Sequence, residues 1–491
     1  MDGLPMASPA DEDNPGMQAG VGTTIVDAVC GGGPAPDVSR ARRVAIFAVL
    51  ALALMMMSID ATIVATALHA LASDLGAPIN WTGWTITAYW FGYVVMLPVA
   101  GRLAERFGNR RVFLLSALAF ALASLACGLA SNIYALVLFR ALQAMGGSGL
   151  TPAATGIVVA WFGGGRDRIL GLFGAVFSVG SLIGPVLGGL FVTYAHWRDV
   201  FFVNVPIGCA MALLGWWFIP PDRPGDRSRR SMDLPGVLLL GTAVIAGMLA
   251  ASLLGNPDVR VASWPFLVPL ALAIVSGWAF FRHIARVAEP FLPPRLIYGK
   301  GFAATNLLNA TYGGAVIGAL TLVPLYAALR YGMDALDAGT LLTAQAVVGL
   351  VVGPLAAWAL RWSGYRLPFY VGGVLVAFGM LMLALAPRLG LSPWLWLALA
   401  TVFTGAASGL MGPASRNAAL QLVPERAATM SALRATAQQV GVIVALALIT
   451  LAMAVSPAQG DVLATAYGAL ALMSLALLPV VARVPEHRGA W

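Results

Sequence analysis

Long runs of apolar residues separated by short polar stretches make up most of the chain from residue 40 onward. A helix needs about 20 mostly apolar residues to cross the hydrocarbon core of a bilayer. About fourteen runs meet this length, and they predict an all-α integral membrane protein. We number them spans one to fourteen: 44–68, 82–101, 112–131, 134–156, 169–194, 200–219, 234–254, 264–281, 302–327, 339–360, 367–386, 393–413, 429–454 and 463–482.

Composition agrees with this pattern. Of the 491 residues, 59% are hydrophobic and only 10% are charged, whereas soluble domains contain about 25% charged residues. The net charge of +8 does not indicate nucleic acid as a partner, because the basic residues lie in short loops and form no stripe with interleaved aromatics. The three cysteines and four histidines have no metal-ligand or disulfide spacing, so we expect neither a metal site nor a cofactor.

Basic residues are distributed unequally between the two sides of the predicted membrane. Of the 29 Lys and Arg residues, 24 fall on the side of the N-terminus and four on the other, while Arg140 lies within a span. Loops on the cytoplasmic side carry an excess of basic residues, so both ends are predicted to be cytoplasmic in an inner (cytoplasmic) membrane. Residues 1–39 have no basic region before an apolar core, which predicts a disordered cytoplasmic tail and not a signal peptide.

Two similar loops indicate an internal repeat. Residues 101–111 follow span two and residues 353–366 follow span ten, and in both a helix-end glycine precedes arginine, glycine and arginine, although the second copy lacks the acid. Parallel repeats with a site between them at mid-membrane recur in transporters. The predicted organisation is therefore a tail (1–39), a six-helix bundle (40–222), two inserted helices with linkers (223–300), a second six-helix bundle (301–482) and a tail (483–491).

The loop after span two places an acid among arginines at a helix end. Such a carboxylate can pair with the arginines and with a helix terminus, and so act as a latch that holds the two halves together on the cytoplasmic side. The alternative is a basic loop that only sets topology, with its acid solvated. The latch residues are Gly101, Glu105, Arg106, Gly108, Arg110 and Arg111.

Asp60 in span one and Arg140 in span four are charged residues inside apolar runs. A charge at the centre of a membrane helix costs about 2.5–3.5 kcal/mol on insertion scales, so such residues are candidate functional sites. We expect the two to approach each other, and Asp60 to bind a proton from the outer side and release it inward. The alternatives are a structural ion pair and an Arg140 that extends to the outer interface.

Span five carries glycines on one helix face. Gly180, Gly184 and Gly188 recur every four residues, which permits close backbone contact with another helix. Pro185 is expected to bend the helix, and Gly189 completes the pattern.

These segments resemble motifs of the major facilitator superfamily. Residues 101–111 resemble its loop signature, with Glu105 for the commoner Asp and Asn109 as a further departure, and residues 140–149 resemble its span-four arginine motif with Ala144 for glycine. Residues 184–189 resemble the antiporter motif of its drug exporters. Residues 58–68 resemble the span-one signature of the fourteen-span drug:proton antiporters, with Ala65 replacing an asparagine.

The resemblance implies a major facilitator fold and proton-coupled efflux of apolar or cationic drugs by alternating access, with no enzymatic activity. The expected partners are a small-molecule substrate, protons and the bilayer. A monomer is expected, and a periplasmic adaptor is left open. The alternatives are an exporter or symporter of one metabolite and a membrane-embedded enzyme, which would require a catalytic cluster that the sequence does not contain.

The substrate cavity is expected to combine methionine and aromatic side chains from the first half with polar side chains from the second. Flexible thioethers and aromatic rings suit loosely specified apolar or cationic ligands, although contact with lipid is the alternative for most of them. The candidates are Met57, Thr62, Tyr89, Tyr93, Asn306, Asn309, Tyr312 and Gln438, with Arg434 as a further polar candidate.

Overall fold

The computed structural model is helical throughout its described part, and no described residue forms a strand. The described residues are 39–77, 79–163, 166–222, 233–254, 263–287, 290, 301–333, 335–388, 390–422, 426–454, 456 and 458–486. The predicted tail up to residue 38, most of the predicted linkers around spans seven and eight, and the end of the chain from residue 487 lie outside them.

Each predicted span coincides with a helix or with a broken pair of helices. The first six are Arg40–Asp74, Ile79–Phe107, Asn109–Gly128, Ile133–Gly147 with Leu150–Trp161, Arg166–Tyr194, and Asp199–Phe202 with Asn204–Phe218. Spans seven and eight are Leu234–Leu254 and Trp264–Ile284. The last six are Phe302–Ala310 continuing to Tyr331, Ala335–Ser363, Arg366–Ala384, Pro393–Leu422, Ala427–Ala454, and Gln459–Ala476 with Leu478–Val481.

Length and composition qualify most of these helices as membrane spans. Within the described residues, ten helices are long and apolar enough to cross a bilayer, and span nine makes an eleventh if its two parts count as one despite a 42° bend. Span three shows a lipid-facing side, since Leu115, Leu122 and Leu129 recur every seven residues and are each about two-thirds exposed. The fold is therefore all-helical and membrane-spanning, in agreement with about fourteen spans.

Several helices depart from the predicted boundaries. Span four breaks at Ser148 and Gly149, where a Cβ on Gly149 would lie 2.3 Å from the Ser116 hydroxyl of span three. Span twelve extends to Leu422 and so contains Arg416, which the charge count had assigned to a loop, and Arg434 lies within span thirteen. Without these two arginines, 22 basic residues lie in loops or tails on the side of the N-terminus and four lie on the other side, so the charge bias persists.

The two six-helix halves face each other through six helices, three from each half. Span five packs on spans ten and twelve, and span thirteen packs on spans two and four. Spans seven and eight pack on each other, and span seven also contacts spans two and thirteen, at the seam between the halves.

The halves are in contact near the basic loops. We call the side of the molecule with loops 101–111 and 361–366 the basic face. The hydroxyls of Thr155 and Ser431 are 3.0 Å apart there, and a Cβ on Gly171 would lie 2.2 Å from the Ala357 side chain. The central cavity begins next to these contacts, on the side nearer the middle of the membrane, and extends towards the face opposite the basic face.

Candidate functional site

Asp60 and Arg140 form a buried ion pair between spans one and four. Arg140 Nη1 donates to Asp60 Oδ2 over 2.9 Å, and neither side chain is more than 1% exposed. The guanidinium also lies over the Tyr89 ring, 4.2 Å from its centroid. The expected approach of these two charges is present, and Arg140 does not extend to an interface.

Neutral donors complete the coordination of the Asp60 carboxylate. Asn204 Nδ2 donates to Oδ1 over 2.8 Å and Gln143 Nε2 donates to the same oxygen over 3.0 Å. Both amides also donate to the Ser124 hydroxyl, which lies in span three. Spans one, three, four and six therefore meet in one hydrogen-bond network, which we call the Asp60 network.

Sequence reasoning did not assign roles to Gln143, Asn204 or Ser124. Gln143 lies one helical turn after Arg140, so a polar residue on the same helix face was an available signal. Asn204 and Ser124 lie far from Asp60 in sequence, and only the packing of spans three and six brings them to it.

Tyr89 lies between the Asp60 network and the central cavity. Its ring lines the cavity and contacts Arg140, and the side chain is 2% exposed. Asp60 and Arg140 are not among the described residues that line the cavity. The Tyr89 ring therefore contacts both the ion pair and the cavity.

The cavity has a volume of about 1300 Å³ and lies between the two halves. Seven of the eight predicted lining residues do line it: Met57, Thr62, Tyr89, Tyr93, Asn309, Tyr312 and Gln438. Asn306 is not among the described lining residues, and its amide donates to the Phe302 carbonyl within its own helix. Tyr312 presents its ring, since its hydroxyl donates to the Ser474 carbonyl over 2.6 Å.

Arg434 organises the polar side of the cavity in the second half. Its Nη1 donates to Asn309 Oδ1 over 3.1 Å and to Gln438 Oε1 over 3.3 Å, and Ser415 donates to the same Asn309 oxygen. A π-helical turn at Thr311–Ala315 in span nine packs against Gly441, where a Cβ would lie 2.0 Å from the Ala310 carbonyl oxygen. This close contact brings Asn309 to Arg434.

Arg416 is a second cavity arginine, which the sequence interpretation had assigned to a loop. It lines the cavity from span twelve, and its Nη1 donates to the Leu170 carbonyl of span five over 3.4 Å. Gly174 makes room for it, because a Cβ there would lie 2.5 Å from Arg416 Nη1. Among the described residues, no group of three or more His, Cys, Asp or Glu side chains could hold a metal ion.

In the loop after span two, Glu105 pairs with Arg102, which is not one of the predicted latch residues. Glu105 accepts from Arg102 Nη1 over 3.0 Å, and both side chains are buried. Arg106 and Arg111 are exposed, while Arg110 contacts the Trp216 ring and its amide donates to Asp222. Gly108 has a φ of 98°, a conformation that favours glycine.

This loop also lies against the other half of the molecule. A Cβ on Gly101 would lie 2.8 Å from the Ala432 side chain and 3.0 Å from the Ala428 carbonyl oxygen of span thirteen. Glu105 faces Thr429 of the same span. The loop is therefore positioned at the junction of the two halves on the basic face.

Three glycines of span five pack directly on span one. A Cβ on Gly184 would lie 2.0 Å from the Thr62 hydroxyl, and one on Gly188 would lie 2.0 Å from the Thr66 hydroxyl, while Gly180 faces Met55 and Ser58. Ser58 donates to the Phe177 carbonyl over 2.6 Å and so links the two helices. A Cβ on Gly189 would meet no atom of the described residues within 4 Å, and the Pro185 side chain lies outside the described set.

Comparison with known proteins identifies the family. Residues 50–446 match the family model described as Major Facilitator Superfamily. The chain is 29% identical over 347 residues to Multidrug transporter protein MdtP of Bacillus subtilis, covering 70% of this chain and 63% of MdtP. It is 31% identical over 403 residues to the Tetracenomycin C resistance and export protein of Streptomyces glaucescens, covering 80% and 72% of the two chains.

The fold agrees with a solved structure at low identity. The proton:xylose symporter XylE superimposes with a TM-score of 0.63 at 14% identity, covering 91% of this chain and 96% of XylE, which shows the shared fold alone. The chain therefore belongs to the Major Facilitator Superfamily of membrane transporters and is related to its fourteen-span drug:proton antiporters.

Proposed function

We propose that the protein exports small, largely apolar molecules in exchange for protons, by alternating access of the central cavity to the two sides of the membrane. The observation that carries the proposal is the Asp60 carboxylate, fully buried in the membrane beside the cavity and held by three side-chain donors. The relative named for tetracenomycin C resistance and export supports the outward direction.

Protonation of Asp60 would weaken the whole network. A charged carboxylate accepts hydrogen bonds about twice as strong as those of neutral groups, and its loss would leave the buried Arg140 without a counter-charge. The donors lie on spans four and six, so the packing of these spans against span one would depend on the proton. A proton shifts the balance between two conformations only if it binds one of them more tightly, and this dependence supplies such a difference.

The driving force is sufficient for concentrative export. One charge moved through 100 mV releases about 2.3 kcal/mol, and one pH unit adds about 1.4 kcal/mol. Together they support a concentration ratio above about a hundredfold. With the basic face in the cytoplasm, as its charge bias predicts, the present conformation is closed to the cytoplasm and its cavity extends outward.

Dye transport into everted vesicles energised by a pH gradient tests the proposal. Wild-type vesicles should accumulate dye only with the gradient, and Asp60→Asn should be inactive. Asp461→Asn is a matched control, because it removes a carboxylate that is 75% exposed and distant from the cavity. Gradient-driven uptake by Asp60→Asn would reject the role of Asp60. If folded wild-type protein moves no dye in the panel, the alternative of one narrow metabolite substrate is favoured.

A further inference from the structure

The charges that face the cavity are all positive among the described residues. Arg416 and Arg434 line it, and no aspartate or glutamate is among its described lining residues. The two guanidinium groups are close enough to interact electrostatically. A cationic ligand in this cavity would therefore meet two like charges and no counter-charge.

Neither arginine is neutralised within the described part of the chain. Arg434 donates to the neutral side chains of Asn309 and Gln438, and Arg416 donates to a backbone carbonyl. Neutral acceptors orient a guanidinium but do not offset its charge. Both groups therefore carry a full positive charge into a cavity that is otherwise mostly apolar.

Arg416 and Arg434 are partly exposed, and two buried arginines of the same chain show the contrast. Arg140 pairs with Asp60 over 2.9 Å, and Arg102 pairs with Glu105 over 3.0 Å. A charged side chain within a membrane-spanning helix is expensive and generally marks a substrate or ion pathway. Unlike Arg140 and Arg102, the two cavity arginines pair with no carboxylate of the described residues.

We infer that the central cavity binds an amphipathic organic anion, whose acidic group pairs with Arg434 and Arg416 at the basic-face end. Arginine suits this task, because its planar fork binds carboxylates and related oxyanions through two parallel hydrogen bonds. The rings of Phe173, Phe177 and Tyr93 line the same cavity and would contact the apolar body of the ligand. This inference rests on the proposed transport function and names its substrate class, an amphipathic anion in place of the cationic drugs that the sequence resemblance implies.

The geometry suits a ligand that spans both halves. Arg434 belongs to the second half, and Tyr93 of the first half lies close enough to interact with it. Arg416 reaches from the second half to the Leu170 carbonyl of the first. An anion at this point would therefore bridge the surfaces that must separate when the basic face opens.

A binding experiment on purified protein in nanodiscs, without any gradient, tests the inference. Carboxyfluorescein and rhodamine 123 share a xanthene core and differ in charge, so the anionic dye should bind at least about tenfold more tightly, a difference of about 1.4 kcal/mol. Arg434→Gln and Arg416→Gln should each weaken carboxyfluorescein binding by at least about tenfold, whereas Arg434→Lys should retain part of it. Arg330→Gln is the control, because Arg330 pairs with the exposed Asp461 and does not line the cavity.

Two results would overturn the inference. One is rhodamine 123 binding to the wild type as tightly as carboxyfluorescein, or no binding of the anionic dye at all. The other is unchanged carboxyfluorescein affinity in both glutamine variants, each shown to be folded by its thermal unfolding. Because the assay uses no gradient, failure of proton-driven transport with intact anion preference would reject only the proposed coupling.

Discussion

Asp60 accepts hydrogen bonds from three side chains on two other helices, so its charge is a structural element as well as a candidate proton site. Both interpretations were open from the sequence, and they are compatible in one network. Removing one member of a buried ion pair leaves an uncompensated charge, which costs more than removing both. The pair therefore offers a prediction about stability that does not depend on transport.

Arg140→Met should lower the free energy of unfolding by about 3–5 kcal/mol. The double variant Asp60→Asn with Arg140→Met should recover part of that loss, because the remaining amide carries no charge and still accepts from Asn204. Thermal unfolding of the purified proteins measures both values. A double variant less stable than Arg140→Met alone would show that the charge of Asp60 is balanced by other groups.

At the scale of helices, the close contact between spans one and five depends on glycines, which have no side chain to keep the two backbones apart. Gly184 and Gly188 each lie against a threonine hydroxyl of span one, while a Cβ on the neighbouring Gly189 would meet no described atom within 4 Å. The sequence pattern treats these glycines as one motif, whereas the packing separates them into two kinds.

Gly184→Ala should destabilise the protein by about 1–3 kcal/mol, because the added methyl group overlaps Thr62 and forces the helices apart. Gly189→Ala should be neutral or stabilising by up to about 1 kcal/mol, because alanine has the higher helix propensity. Thermal unfolding and gradient-driven transport of the two variants, compared side by side, give the measurement. Equal losses in both would mean that general glycine content, and not contact with span one, matters in span five.

At the scale of the whole molecule, the two halves meet at the basic face and enclose a cavity above that contact. Alternating access requires this contact to break once in every transport cycle. A covalent link across it should therefore stop transport without unfolding either half.

Thr155→Cys combined with Ser431→Cys should form a disulfide under oxidation, since the native hydroxyl oxygens are 3.0 Å apart. The background should lack Cys30, Cys127 and Cys209 so that no other pair forms. Oxidation should abolish dye transport, and reduction should restore it, while Thr155→Cys alone should be insensitive to both. Full transport by the cross-linked protein would contradict a gate at this contact.

Sequence reasoning reached the spans and the intramembrane charges, because lipid offers no hydrogen bonds and each exception to apolar sequence is therefore visible. It identified Asp60 and Arg140 on that basis, and it chose eight cavity candidates by their ligand chemistry, of which seven line the cavity. It did not find Arg416, because a basic residue near a span end looks like a loop charge until the helix is seen to extend past it. Arg434 lies inside a predicted span, as Arg140 does, but of these two arginines Arg140 alone pairs with a carboxylate of the described residues.

The sequence by itself determined that this chain is a membrane transporter with an acid and an arginine in its first half, since hydropathy, charge bias and short motifs are local properties. Tertiary structure alone decided which charges are neutralised. Asn204 and Asp60 are 144 positions apart, and Arg416 meets span five across 246 positions. Pairing is a property of distance in space, so the difference between a balanced Arg140 and the unbalanced arginines of the cavity emerges only when the helices are packed.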